Sequence, residues 1–336
     1  MNPIEAMQAE IEYQVQDLYE LDNILSCASS PAKNSVFVGS GDSYVAGLSA
    51  QYFSRNPLIM CCYPVDIIQN PLLIKGANLF VISISGNTQA NIGAAKIAKK
   101  YGANAVIAIT AKASSRLAKS CDQIIELKYR NAGTITAGTI SFTVSMIKCI
   151  SLIMPLHLPS DLGKIYSRAE KQAEKAISMI NDKSSATGSG NSSGNSSGST
   201  GDSSSNSGSY FLLGNSELYA IAKYGTLKFN EVFGARALAY PVEEFCHSPL
   251  FSIKENDQVI VLGDGQGGEL SQRLNNEGFS SLHVGFKNTG IELLLQATFF
   301  IQLFVLKLAQ KYGLTSCHFL QNKKLLGLSS DFIYYQ

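Results

Sequence analysis

Residues 78–101 read NLFVISISGNTQANIGAAKIAKKY, and their order decides the architecture. Asn78 to Ser83 is a short, continuous apolar run of strand length, and a strand without polar alternation is one covered on both faces, as in a parallel sheet. Thr88 to Tyr101 then carries the spacing of a helix. The link between them, Ser83-Ile84-Ser85-Gly86-Asn87-Thr88, sets three hydroxyls and several free amides within one turn of a helix N-terminus. Exposed amides and the positive end of the helix macrodipole suit a phosphomonoester. The plainer reading makes Thr88 or Asn87 an N-cap, which accounts for one polar residue of the loop and leaves the others.

The same unit stands upstream. Ser35 to Gly39 is a second apolar run, ending in Gly39-Ser40-Gly41-Asp42-Ser43 and entering a helix over Ser43 to Ser54. Glycines there let the backbone approach an anion, although taken alone such a turn serves any tight strand-to-helix connection. Two loops of this kind at the carboxyl ends of strands in one sheet lie where open α/β sheets bind ligands. Tyr44 occupies the place of a third dinucleotide-binding glycine, and no Gly-Lys-Ser/Thr follows either loop, so no nucleotide cofactor is expected. Leu58 to Cys62, Asn104 to Ile109 and Gln123 to Leu127 read as further buried strands, and Thr139 to Ile153 as a helix.

Ser184 to Ser209 is almost wholly Ser, Gly, Asn and Thr, a composition that cannot offset the entropy of ordering and predicts a flexible linker. It separates a first domain, residues 1–183 with an N-terminal helix, from a second, residues 210–336. The second repeats the scheme in shorter form: strands over Tyr210 to Leu213, Gln258 to Leu262 and Ser281 to Val284, with helices near Leu218 to Val232, Gly268 to Asn276 and Leu293 to Tyr312. The expected fold class is α/β, two tandem parallel sheets flanked by helices. A chain of 336 residues is long enough for two cores.

Bulk properties exclude several functions. A formal net charge of +1 leaves no basic surplus for a nucleic-acid partner. Seven cysteines, scattered and odd in number, predict reduced thiols and a cytoplasmic setting. The acidic, amphipathic start reads as a helix, not a leader. Ile140 to Leu158 contains Lys148 and Pro155, and Leu293 to Ala309 contains Gln296, Gln302 and Lys307; both read as core or subunit-contact helices, with no membrane partner. His157, His247, His283 and His318 are too dispersed for a metal site, and none is expected. Cys246 beside His247 reads as a filler thiol.

In the second half, Lys228-Phe229-Asn230-Glu231 lies on a predicted helix, and His247 follows in Glu243-Glu244-Phe245-Cys246-His247-Ser248-Pro249. Aldose/ketose interconversion needs a ring-opening acid/base and a base that moves a proton between adjacent carbons, roles open to a His and a Glu. Read singly, Glu231 is also an ordinary solvated helix residue and His247 a structural one.

Taken together the motifs resemble the SIS-domain family of sugar-phosphate isomerases, among them the isomerase half of glucosamine-6-phosphate synthase. Gly41-Asp42-Ser43-Tyr44 with Ala46-Gly47 is similar to that family's Gly-Thr-Ser-Tyr-x-Ala-Gly loop, and Ser83 to Thr88 to its Ser-x-Ser-Gly-Glu/Asn-Thr loop. Leu227-Lys228-Phe229-Asn230-Glu231 is similar to Leu-Lys-Leu-Lys-Glu, and Glu244-x-x-His247-x-Pro249 to Glu-Leu-Lys-His-Gly-Pro, at the family's sixteen-residue step from Glu231 to His247. The resemblance implies flavodoxin-like SIS domains and a phosphate held by Ser43, Ser83, Ser85 and Thr88, with Gly41, Asp42 and Asn87 beside them. It implies that Glu231 moves the proton between C1 and C2, that Lys228 helps to stabilise the enediol, and that His247 opens the sugar ring from the partner subunit of a homodimer. A small sugar phosphate is the implied partner, and no cofactor is needed.

Departures narrow the expectation. The chain begins Met1-Asn2 and leaves no room for the synthase's cysteine-led glutamine-hydrolysing domain, so glutamine-dependent amination is not expected. Gln321-Asn322-Lys323-Lys324 matches neither the spacing nor the neighbours of the synthase's Schiff-base tail, so a solvated lysine pair is expected there. Asp42 stands where the family often has Thr. The leading expectation is a hexose 6-phosphate aldose/ketose isomerase. Glucose/mannose-6-phosphate isomerase, an amino-sugar-phosphate deaminase or deglycase, and a non-catalytic sugar-phosphate sensor are the rivals.

Overall fold

The computed structural model describes residues 1–22, 34–180 and 208–334. The linker expected over residues 184–209 lies outside the described residues except for its last two, as does Cys27. The first half runs α1 (Pro3–Asp22), β1 (Ser35–Val38), α2 (Asp42–Ser54), β2 (Ile59–Cys62), α3 (Pro64–Gln69), β3 (Asn78–Ile82), α4 (Gln89–Lys100), β4 (Ala105–Thr110), α5 (Arg116–Ser120), β5 (Gln123–Glu126), α6 (Ile140–Ser151) and α7 (Leu162–Met179). The second runs β6 (Tyr210–Leu213), α8 (Glu217–Phe233), β7 (Ala237–Tyr240), α9 (Val242–His247), β8 (Gln258–Leu262), α10 (Gln266–Asn276), β9 (Ser280–Val284), α11 (Gly290–Lys311), α12 (His318–Gln321) and α13 (Lys323–Ile333).

Both sheets are parallel, ordered β2-β1-β3-β4-β5 and β7-β6-β8-β9. All four residues of β1 are buried, as the unbroken apolar run requires. β1 pairs with β3 from Ser35 opposite Asn78 to Val38 opposite Val81, so their following loops emerge side by side. Strand order reverses between these two strands, which makes that crevice the natural ligand position of the sheet. Three expectations change. β2, expected to be buried, is an edge strand with Met60 and the preceding Leu58 exposed. β5 is an exposed edge strand, not a buried one, because its outer side has no neighbour. β7 was not foreseen: Ala237-Leu238-Ala239-Tyr240 is short, half-buried and built partly of alanine, which has little strand preference.

The two halves share a core. One buried cluster joins Phe37 and Phe80 of the first sheet to Phe229 of α8 and Phe304 of α11. α11 passes the length and composition test for a membrane span, yet 78% of its apolar window is buried within the protein. α1 and α7 precede the linker and nevertheless bond to the second half: Gln14 Nε2 donates to Gln302 Oε1 (2.7 Å), Gln172 Nε2 to Gly285 O (2.7 Å), and Lys307 Nζ to Glu174 (3.1 Å). α2 packs against α8, and that contact assembles the site.

Candidate active site

The two loops expected to hold phosphate flank the crevice. Gly41 precedes α2 at φ 56°, a conformation that glycine adopts without a Cβ penalty, and Asp42 and Ser43 follow as the first helical residues. In the second loop Gly86 N donates to Ser83 Oγ (3.2 Å), Asn87 N to Ser85 Oγ (3.3 Å), and Ser83 Oγ lies 3.3 Å from Thr88 Oγ1. Gly86 is also left-handed (φ 63°), and a Cβ there would overlap the Ser115 side chain. Ser83, Ser85 and Thr88 are thus gathered into one turn at the N-terminus of α4, as the spacing predicts. Asp42 makes no bond to that loop.

Asp42 turns instead to the second half. Lys228, in the C-terminal half of α8 and 0% exposed, places Nζ 2.8 Å from Asp42 Oδ2 and 2.6 Å from Glu231 Oε2. Its ammonium also lies 5.2 Å from the centre of the Tyr224 ring. An unpaired buried ammonium is costly, and removing one partner of a buried pair costs about 3–5 kcal/mol, so these contacts fix the lysine. Burial alone would depress its pKa, but the Asp42 and Glu231 carboxylates outweigh burial and hold it above the ordinary lysine range. Burial pushes Asp42, 21% exposed, up to about 6 from 3.8, against the pull of Lys228 and with a further push from Glu231.

Glu231 is half-buried and faces a cavity of about 670 Å³, whose lining includes Thr136, Gly138, Arg236, His318 and Tyr334. A second cavity, of about 400 Å³, is lined by Ser85, Asn87, Arg116 and the same Tyr334. The shared residue makes them neighbours, one beside the hydroxyl loop and the other at Glu231. Tyr334 is anchored there, pairing with Thr88 as an isolated antiparallel bridge and accepting from Gln89 Nε2 through its carbonyl (2.6 Å). A hollow of about 690 Å³ at Asp257 and Ser280 lies at the opposite, amino end of the second sheet, away from these groups.

Several contributors escaped the sequence. Gly138 lines the cavity, its carbonyl accepts from Tyr224 Oη (2.7 Å), and a Cβ on it would overlap Asp42 Oδ2. Its segment is held from α1, where Thr136 Oγ1 donates to Pro3 O (2.7 Å) and Thr139 Oγ1 to Glu10 Oε2 (2.9 Å). Gln302 Nε2 braces it from α11 by donating to Thr139 O (3.2 Å) and Tyr224 Oη (3.2 Å). Thr-Ile-Thr-Ala-Gly-Thr over residues 134–139 is the signal available beforehand: a small-residue stretch just before an apolar helix.

His247 is not brought to Glu231. It ends α9, 70% exposed and 3.9 Å from Glu243 Oε1, and does not line the cavity. Lys323 and Lys324 are exposed and do not line it either. Among the described residues no cluster of His, Cys, Asp and Glu has the composition of a metal site. Of the expected core thiols, Cys62, Cys149 and Cys317 are buried, whereas Cys246 is exposed.

Comparison with known proteins gives the same frame. Residues 30–154 match the family model of the SIS domain, and the chain is homologous to the isomerase half of glutamine–fructose-6-phosphate aminotransferases. The enzyme of Clostridium tetani is 28% identical over 252 residues, 72% of this chain and 40% of that protein. That of Sulfurisphaera tokodaii is 26% identical over 275 residues, 80% of this chain and 42% of that protein. The chain therefore spans about two fifths of the length of these relatives. Among solved structures, glucosamine-6-phosphate deaminase of Thermotoga maritima superposes with a TM-score of 0.72 at 22% identity, over 92% of this chain and 96% of that one. Tagatose-6-phosphate ketose/aldose isomerase of Escherichia coli gives 0.63 at 16%, over 92% of each chain. These two likenesses establish the fold.

Proposed function

We propose that this chain is an aldose/ketose isomerase of a hexose 6-phosphate, of the fructose 6-phosphate/glucosamine 6-phosphate type, working through an enediol, with SIS domains over residues 1–183 and 210–336. The observation that carries the reading is Glu231 on the wall of a cavity, ion-paired to buried Lys228, with the Ser83–Thr88 loop beside the neighbouring cavity. A 6-phosphate accepting from Ser43, Ser83, Ser85 and Thr88, beside Gly41 and Asn87, directs C1 and C2 toward Glu231, and such positioning is itself a large part of catalysis. The Glu231 carboxylate takes a proton from one carbon and returns it to the next. The Lys228 ammonium, fully buried and bonded to Glu231, is assigned electrostatic stabilisation of the enediolate.

His247 is assigned ring opening. It stands outside the cavity of its own chain, and the proposal gives it to the site of a partner subunit in a cytoplasmic homodimer, as the family resemblance implies. Relatives and structural neighbours that are sugar-phosphate aminotransferases, isomerases or deaminases support an enzyme of this general kind. Lys323 and Lys324 lie outside the lining of the cavity, so neither is assigned a Schiff-base role.

Proton exchange tests the reading. The protein is incubated in deuterium oxide with fructose, glucose, mannose or glucosamine 6-phosphate, with and without ammonium, beside Glu231→Gln. Deuterium entering C1 or C2, and lost in the variant, is the expected result. A sugar phosphate that binds without exchange would make the protein a sensor instead.

A further inference from the structure

We infer that Asp42 is a positioning residue for this proton transfer: it is the second counter-charge that keeps Lys228 compensated while Glu231 is neutral. The inference rests on the isomerase reading above. Lys228 has three N–H groups, two of them directed at Asp42 Oδ2 (2.8 Å) and Glu231 Oε2 (2.6 Å), with the Tyr224 ring against the same ammonium. When Glu231 takes a proton from carbon, the C–H bond breaks, an O–H bond forms on the carboxylate, and the electron pair passes to the enediolate. Glu231 then loses its charge and its hold on Lys228. With Glu231 as the sole partner, that step would leave a buried ammonium bare, and the cost would be added to the barrier. With Asp42 present one carboxylate remains, and the ammonium stays compensated through the step.

The fold is built around this contact. Asp42 opens α2, where a carboxylate is favoured by the helix N-terminus, and the left-handed turn at Gly41 delivers it there. Gly138 leaves room for Oδ2 where a side chain would overlap it. Asp42 Oδ1 is buried without a hydrogen-bond partner among the described residues. A carboxylate so sparsely bonded keeps its strongest interaction for the lysine. Phosphate binding does not explain the arrangement, since Asp42 is directed at Lys228 and away from the hydroxyl loop.

The test compares wild type with Asp42→Asn, Lys228→Met and the double variant. It reads the rate constant and KM of deuterium exchange, the affinity for an unreactive hexitol 6-phosphate, and thermal stability. Asp42→Asn is expected to lower the exchange rate constant by at least about thirtyfold, with KM and hexitol phosphate affinity changed less than about threefold, as for an interaction made mainly in the transition state. The double variant is expected to be no slower than Lys228→Met alone, because Asp42 acts through the lysine. An unchanged rate constant in Asp42→Asn, or additive losses in the double variant, overturns the inference. So does a loss confined to KM and hexitol phosphate affinity, which would make Asp42 a ligand contact. If Asp42→Asn does not fold, Asp42→Asn/Lys228→Met, in which neither member of the Asp42–Lys228 pair carries a charge, carries the comparison with Lys228→Met. If wild type exchanges no sugar, the isomerase reading fails and takes the inference with it; if wild type exchanges and only the Asp42 results disagree, the reading stands alone.

Discussion

The two halves repeat one design with different residues. Gly41 before α2 has φ 56° and ψ −131°, and Ser216 before α8 has φ 51° and ψ −127°, so the turn after the first strand of each sheet has almost the same backbone. In the first half that turn leads to Asp42 and Ser43 and lies beside three hydroxyls in the next loop. In the second half the corresponding loop is Gly263-Asp264-Gly265, without a serine or threonine, and Asp264 Oδ1 lies 3.5 Å from His283 Nε2. The first sheet thus presents a phosphate-suited rim, while the second presents the long face of α8, with Lys228 and Glu231. Topology supplies two rims, and side-chain content decides which one grips a ligand.

The largest effect expected from this comparison is Glu231→Gln, which should reduce deuterium exchange by about 10²–10⁴-fold, the usual contribution of a positioned base. Hexitol 6-phosphate affinity should stay near wild type. Ser83→Ala with Ser85→Ala should weaken hexitol 6-phosphate binding at least about tenfold in a calorimetric titration, through loss of two charge-assisted hydrogen bonds. Asp264→Ala on the opposite rim should leave that affinity unchanged; equal losses on both rims would break the contrast.

A smaller effect follows from pH. Asp42 is lifted to about 6, chiefly by burial, so it protonates on the way down from neutral pH. Its folded pKa exceeds its unfolded value, so native stability gains from Asp42 protonation as pH falls from about 6 toward 4. Exchange moves the other way and should fall below about pH 6 as Lys228 loses its second counter-charge, and Asp42→Asn should lack that limb. The smallest effect is Ser216→Gly. Removing a Cβ from a left-handed position should stabilise the fold by about 1 kcal/mol in denaturant unfolding and leave exchange untouched.

Much of this was legible in the sequence because it is local. Unbroken apolar runs fixed the first sheet, and the Ser83–Thr88 hydroxyls fall within one turn, so spacing alone gathers them. Lys228 and Glu231 are three residues apart on one helix and were bound to meet. Asp42 and Lys228 are separated by 186 positions, and only the packing of α2 on α8 joins them. Gly138 and Tyr224 have roles set by what they touch, for which no residue pattern stands. The resemblance places His247 by its sixteen-residue step from Glu231, yet the strand and helix within that step carry it out of its own chain's cavity.

The claim on which the rest depends is that one substrate spans the two neighbouring cavities, its phosphate at the hydroxyl loop and its C1–C2 pair at Glu231. Deuterium uptake from fructose 6-phosphate and fructose 1-phosphate, measured side by side by NMR on the wild-type protein, tests it directly. The account predicts uptake at C1 from the 6-phosphate and none above background from the 1-phosphate, whose anchored end and reacting carbons coincide. Equal uptake from both esters, or uptake from the 6-phosphate that survives Glu231→Gln, would contradict it.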